Sequence, residues 1–257
     1  MIPEELNLSY IWQFRLDSYP AARLLTYKFN HSLQQGYLGG FDSTKWHAKQ
    51  LAMLEIALDS KLPRPSTITE YLTSEKFENL IDLGGGPGWI WAYLLKTNQA
   101  VNLSYFNVEL ASSRLAFDYL TKNLPKMKFV ELKELTELKG AKNLVYANSV
   151  LQYFESNSEL LKLIQLTDPK CIILDDIAGA KDEFYSLQNY YGYLQVNRFA
   201  NINKTIEEIA RLGYSLLIRK PYDRKFSSKM IPRIWLGEPN NSDCEAPPSW
   251  TLVFTKN

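Results

Sequence analysis

The spacing of apolar residues changes near residue 76. Before it the periodicity is helical: Leu51, Leu54, Ile56 and Leu58 follow the turn Gly39-Gly40-Phe41-Asp42-Ser43, and Pro63-Arg64-Pro65 breaks the pattern. Residues 1–76 therefore read as a helical N-terminal cap region. After it, short apolar runs alternate with helical patterns. Runs over 79–83, 103–108, 128–132, 143–147 and 171–174 predict strands, with helices over 87–97, 111–122 and 157–165 between them. Strands separated by helices imply an α/β fold with a doubly wound, mostly parallel sheet. A helix over 203–212 and strands over 214–219 and 250–254 follow, the two strands reading as a closing antiparallel pair. Between them lies an insertion, 221–248, that holds Pro221, Pro232, Pro239, Pro247 and Pro248. The second unit is thus 77–257, a domain of seven strands with an insertion before the last.

Composition narrows the classes. The chain has 257 residues, 46% hydrophobic and 22% charged, which suits one globular domain with appendages. Its 29 Lys+Arg against 28 Asp+Glu leave a net charge of +1, so no nucleic-acid partner held by the overall field is expected. No apolar run approaches the roughly 18 residues of a membrane span. The acidic start Met1-Ile2-Pro3-Glu4-Glu5 is unlike a signal peptide, and a cytoplasmic location is expected. Cys171, Cys244, His31 and His47 are too few and too scattered for a zinc site or a disulfide framework, so no metal is expected.

The most informative stretch is Leu80-Ile81-Asp82-Leu83-Gly84-Gly85-Gly86-Pro87-Gly88, a strand running into a glycine turn and then a helix from Trp89. Glycine there lets a ligand approach the backbone, and the free N–H groups of a helix start favour a carboxylate or phosphate. A dinucleotide turn of the form G-x-G-x-x-G needs glycine at 89, where this chain has Trp89. The next strand ends Phe106-Asn107-Val108-Glu109, putting a carboxylate where it can accept the ribose hydroxyls of a nucleoside. The bland readings are a tight turn for the glycines, a buried turn stabiliser for Asp82 and a helix-start carboxylate for Glu109.

On these residues the sequence resembles the class I S-adenosylmethionine-dependent methyltransferases, whose first motif, acid-x-Gly-x-Gly-x-Gly, is met by Asp82, Gly84, Gly86 and Gly88. The resemblance covers roughly 77–257 and implies a Rossmann-like methyltransferase fold with S-adenosyl-L-methionine as cofactor. It implies cofactor contacts from Asp82, Gly84, Gly85, Gly86, Gly88 and, at the ribose, Glu109, with Asn148 and Ser149 beside them. A narrower resemblance rests on Tyr146 to Tyr153, Cys171 to Asp176, Leu194-Gln195-Val196 and Arg211-Leu212-Gly213-Tyr214. These are similar to a bacterial methyltransferase group associated with surface-polysaccharide gene loci, which carries Asp-Arg where this chain has Asp175-Asp176.

A sulfonium is an activated methyl donor, so the protein's main task is in-line placement of the acceptor; a hydroxyl acceptor would also benefit from a base. Strand carboxyl ends face the ligand crevice, which makes Asp175 and Asp176 candidate catalytic groups and Gln152 and Tyr153 candidate acceptor contacts. Strand alternation predicts that one of the two aspartates faces the site; a polar turn is the alternative. Asn148 is not followed by Pro-Pro-aromatic, which counts against nucleobase N-methylation. His47 is either a base reaching over from the N-terminal helices or a surface histidine. Tyr185, Tyr190, Tyr191 and Tyr193 crowd what reads as a loop, as an acceptor wall or as packing. Arg219, Lys220, Arg224, Lys225 and Lys229 are a solvated loop root or a clamp for a phosphorylated acceptor. The expected function is methyl transfer to a hydroxyl of a small carbohydrate or carbohydrate precursor. The alternatives are a small-molecule O- or N-methyltransferase with an aromatic acceptor and a catalytically silent cofactor-binding partner subunit.

Overall fold

The computed structural model describes residues 12–31, 41, 43–59, 66–74, 76–99, 102–111, 113–114, 117, 124–139, 142–190, 193–222 and 249–257. Strands β2 (Asn79–Leu83), β3 (Ser104–Val108), β4 (Met127–Val130), β5 (Asn143–Asn148) and β6 (Cys171–Ala180) pair in parallel in the order β4-β3-β2-β5-β6. Strand β10 (Ser249–Lys256) runs antiparallel to β6, and β9 (Tyr214–Pro221) antiparallel to β10, completing the seven strands predicted from periodicity. Because the chain steps from β2 outward to β3 and later returns to the other side of β2 at β5, the order reverses at β2.

Alternation sorts the apolar residues onto two faces, which is why these strands read as continuous apolar runs. Leu80, Leu144 and Ile173 pack toward α2 (Thr44–Leu58), α3 (Ser66–Ser74) and α4 (Trp89–Lys96), meeting Leu54, Ile68 and Trp91. Their neighbours Ile81, Val145 and Ile172 pack on the opposite face toward α5 (Ser158–Thr167) and α6 (Ile202–Ala210), meeting Leu163 and Ile209. No described helix is long and apolar enough to cross a membrane.

Strand β6 is longer than its apolar run predicts. Its register against β10 jumps from Leu252↔Leu174 to Trp250↔Ile177, so Asp175 and Asp176 together oppose the single residue Thr251. This is a β-bulge, with Asp176 at φ 53°, and it bends the strand away from its neighbour. Pairing with β5 ends at Asn148↔Asp175, and beyond the bulge β6 pairs instead with β8 (Tyr193–Asn201) through Gly179↔Ala200. Strand β7 (Phe184–Tyr190) is antiparallel to β8, and β1 (Trp12–Leu16) is antiparallel to β7. Helix α1 (Tyr19–His31) covers one face of this small sheet, Ala22, Leu25 and Phe29 meeting Tyr185, Leu187 and Leu194. The Asn30 side chain pins it by donating to the Leu194 carbonyl at 2.8 Å and accepting the Leu194 N–H at 3.0 Å.

Two expectations are corrected here. Residues 12–16 of the N-terminal region are strand, not helix, and Tyr185, Tyr190 and Tyr193 stand on a hairpin rather than in a loop. Both strands of the hairpin carry amides on one face, Gln188 in β7 and Gln195 and Asn197 in β8, which suppresses the apolar signal that marks a strand. The insertion from 223 to 248, with Arg224 and Lys225, and Tyr191 lie outside the described residues.

Gly179 sits where β6 changes partners. A side chain there would begin 2.5 Å from Ile202 and 2.8 Å from Trp250. Gly179→Val is expected to destabilise the protein by about 1–3 kcal/mol through overpacking, read as a lower urea midpoint; an unchanged midpoint would contradict the packing at this junction.

Candidate functional site

The glycine turn follows β2 at the point where strand order reverses, which in open α/β sheets opens a crevice at the strands' carboxyl ends. Gly84, Gly86 and Gly88 all have positive φ, at 72°, 56° and 82°. Gly85 is required for another reason: a Cβ would stand 2.5 Å from both the Asp82 carboxylate and the Tyr105 hydroxyl. At Gly86 the added atom would meet only the Gln50 side chain, at 3.2 Å, so this is the open side of the turn.

Three side chains hold the turn from below and beside. Asp82 is 2% exposed and accepts the Tyr105 hydroxyl at 2.6 Å, while Tyr105 stacks on Trp91 with ring centroids 5.2 Å apart. Burial pushes the Asp82 carboxyl up to about 7, opposed by the Tyr105 hydrogen bond and reinforced by the nearby Glu109 charge. Asn107, fully buried, accepts the Gly85 N–H at 3.2 Å and donates to the Gly86 carbonyl at 2.8 Å. Glu109, at the carboxyl end of β3, accepts the N–H groups of Gly86 and Leu110, each at 2.8 Å. Its pKa is raised by burial and held back by those two backbone bonds. The structure thus places Asp82, the glycines and Glu109 side by side. Asn107 and Tyr105 were not foreseen, although register partners of the motif were the place to look: Asn107 lies directly opposite Asp82.

The candidates after β5 and β6 form a second cluster. Asn148 donates to the Tyr146 hydroxyl at 3.2 Å, and Gln152 donates to the Ser149 carbonyl at 2.7 Å. Asp175 accepts the Thr251 hydroxyl at 2.7 Å; Asp176 accepts the hydroxyls of Ser149 and Ser249. Burial raises the Asp175 pKa, with the Thr251 bond and the Lys220 charge opposing. The bulge breaks the alternation that would have turned just one aspartate inward, and both carboxylates are buried.

Helix α2 lies over the turn. It starts at Ser43, whose side chain accepts the Lys45 N–H at 3.2 Å, and carries Trp46, His47 and Gln50. The His47 ring lies edge-on to Trp46 and Phe117, and its Nε2 is buried without a hydrogen-bond partner. Phe41 makes ring contacts to Trp46, Tyr153 and Tyr190, at 5.3, 4.9 and 5.3 Å. His47, Tyr153 and Tyr190 therefore share one aromatic shell, and Gln50, three residues and so nearly one helical turn beyond His47, links it to Gly86.

No protein-family model matches the sequence, and neither does any curated protein. Solved structures do resemble it. A protein described as an O-methyltransferase from Nostoc punctiforme is 13% identical over 92% of this chain and 67% of its own, with a TM-score of 0.51. A protein described as an S-adenosylmethionine-dependent methyltransferase from Listeria monocytogenes is 13% identical over 80% and 99%, with a TM-score of 0.49. The magnesium protoporphyrin IX methyltransferase of Synechocystis, solved with S-adenosylmethionine bound, is 12% identical over 94% and 93%, with a TM-score of 0.44. The fold is the Rossmann-like methyltransferase fold.

The Asp82 environment has a pH signature. The folded protein keeps a proton up to about pH 7 that the unfolded chain releases near the ordinary value of 3.8, so this group's stabilisation is present below about pH 4 and is lost as pH rises toward 7. Asp82→Asn removes that loss. Between pH 4 and 7.5 the wild type should lose stability relative to the variant, by on the order of 4 kcal/mol at most, measured by urea unfolding at both pH values. A constant difference would mean that Asp82 is ionised in the fold.

Proposed function

We propose that the protein is an S-adenosyl-L-methionine-dependent methyltransferase acting on a hydroxyl of a small ring-bearing acceptor, a carbohydrate or carbohydrate precursor first. The observation that carries the reading is the Gly86 N–H to Glu109 hydrogen bond at the strand-order reversal. It sets an open glycine turn and a carboxylate side by side at the ends of neighbouring strands.

The residues fit the cofactor. Each Glu109 oxygen has one backbone donor and spare acceptor capacity, which suits two ribose hydroxyls. The first turn of α4, capped by Gly88 with no side-chain bond, leaves N–H groups for the methionyl carboxylate. Asp82 and Asn107 shape the turn, with Asn148 and Ser149 flanking it. Bound there, the cofactor supplies a methyl group already activated on a sulfonium. This chain then has to place the acceptor and take its proton. We assign the proton to His47, whose partnerless Nε2 is on the helix that covers the turn; Asp175 and Asp176 are committed to hydroxyls around the bulge and are the alternative. In this reading residues 1–76 form the cap and 77–257 the cofactor domain.

A second reading, an aromatic acceptor, is favoured by the rings of Phe41, Tyr153 and Tyr190. A silent partner subunit is disfavoured by the complete set of turn, Asn107 and Glu109.

Titration calorimetry with S-adenosylhomocysteine tests the cofactor assignment. Glu109→Ala should raise Kd about ten- to a hundred-fold, the equivalent of roughly 1.5–3 kcal/mol for hydrogen bonds to a charged group, with circular dichroism unchanged. Unaltered affinity in the folded variant removes Glu109 from the site. With an acceptor found by methyl-transfer screening, His47→Ala should lower kcat by about 100-fold or more and leave product affinity intact. An unchanged kcat would return the proton to Asp175 or Asp176.

A further inference from the structure

The β7–β8 hairpin has two unlike faces. Tyr185, Leu187 and Leu194 pack beneath α1. On the other face the register pairs Gln188 with Gln195 and Tyr190 with Tyr193, and Asn197 donates from Nδ2 to Gln188 Oε1 at 3.3 Å. Side chains alternate along a strand, so Tyr190 shares the face of Gln188 and touches Phe41, whose ring also meets Tyr153. The amide face therefore looks toward the aromatic shell over the glycine turn.

Three carboxamide oxygens in this region are buried without a hydrogen-bond partner: Oδ1 of Asn197, Oε1 of Gln195, and Oε1 of Gln152 in the turn Leu151–Tyr153, which packs against β8. Asn197 and Gln152 are 2% and 5% exposed. The orientation of the Gln152 amide is set by its bond to the Ser149 carbonyl, which can only accept, so the orphaned atom is an acceptor. Buried acceptors are ordinarily paired, because an unpaired one keeps its full desolvation penalty. Three of the same polarity beside one aromatic shell call for a ligand that brings donors.

We infer that the amide face of the hairpin, with Gln152, is a recognition wall for a ring compound bearing neighbouring hydroxyl groups. The oxygens of Gln152, Gln195 and Asn197 accept its O–H groups, while Tyr153, Tyr190 and Phe41 cover its face. Sugars and catechols share this chemistry. The inference rests on the methyl-transfer reading for what happens to the bound molecule, but the wall binds whether or not transfer follows.

The test uses the full-length protein saturated with S-adenosylhomocysteine, titrated with methyl α-D-glucopyranoside or with catechol and followed by saturation-transfer NMR. One or both should bind saturably; which one identifies the source of the hydroxyls. Asn197→Leu and Gln195→Met should each weaken probe binding at least tenfold and leave S-adenosylhomocysteine affinity within about twofold; Gln195→Met, which gives up no hydrogen bond among the described residues, should also keep or raise the thermal midpoint, since it removes an unpaired buried oxygen. Gln152→Met, on a different element, should weaken probe binding likewise and serves if Asn197→Leu does not fold. The inference is overturned if neither probe binds the wild type, if the variants bind as the wild type does, or if midpoints fall while binding is retained. Failure of the wild type to bind S-adenosylhomocysteine overturns the methyl-transfer reading instead, and probe binding lost in the variants would still uphold the wall.

Discussion

The close approach of Gly85 to the Asp82–Tyr105 pair is the constraint on which the site depends. There is no room for a Cβ between the turn and those two side chains, and the turn is clamped to the neighbouring strand by Asn107 on one side and Glu109 on the other. Backbone atoms that would otherwise need water are satisfied by β3, so the sheet holds the loop in addition to its own Gly88 N–H to Gly85 carbonyl bond. Tyr105 passes the arrangement downward, stacking on Trp91 of the helix that the turn begins. Turn, strand and helix are therefore fixed together, leaving the outer side of Gly86 open beneath Gln50.

The bulge at Asp175–Asp176 plays the corresponding part on the other half of the sheet. An extra residue opposite Thr251 would leave polar groups stranded, and the hydroxyls of Ser149, Ser249 and Thr251 absorb them. The bend that results takes β6 out of the main sheet and into register with β8. It is this change of partner that carries the hairpin, and with it Tyr190, to the shell around Phe41. Arg198, buried against Glu183 and Asn157, ties the hairpin to the segment after β5. The aromatic shell is thus assembled from Phe41 and α2, Phe117, the turn after β5 and the hairpin, parts of the chain remote from one another in sequence.

The two clusters differ in how they could be read beforehand. The glycine turn is local: five consecutive residues with acid and apolar strand before it announce a tight turn by backbone sterics alone, and Glu109 follows at the next strand's end. Asn107 has no such signature, because its role comes from lying opposite Asp82, a relation created by strand pairing. The hairpin escaped for a physical reason as well. Its amide-bearing face holds polar side chains where a core-facing strand would carry apolar ones, so the strand is not written as apolar periodicity, and a strand such as β1 has meaning only beside β7.

What the sequence determined by itself were the features set by short-range sterics and by the apolar alternation of buried strands: five parallel strands, the closing antiparallel pair, the glycine turn and the acid after it. The tertiary structure alone decided how β6 is shared between two sheets, that Asp175 and Asp176 both turn inward, and that Phe41, His47, Tyr153 and Tyr190 meet. Those outcomes depend on register and on partners on other elements of the chain, where no local propensity acts and where the pairing of buried polar groups selects the arrangement.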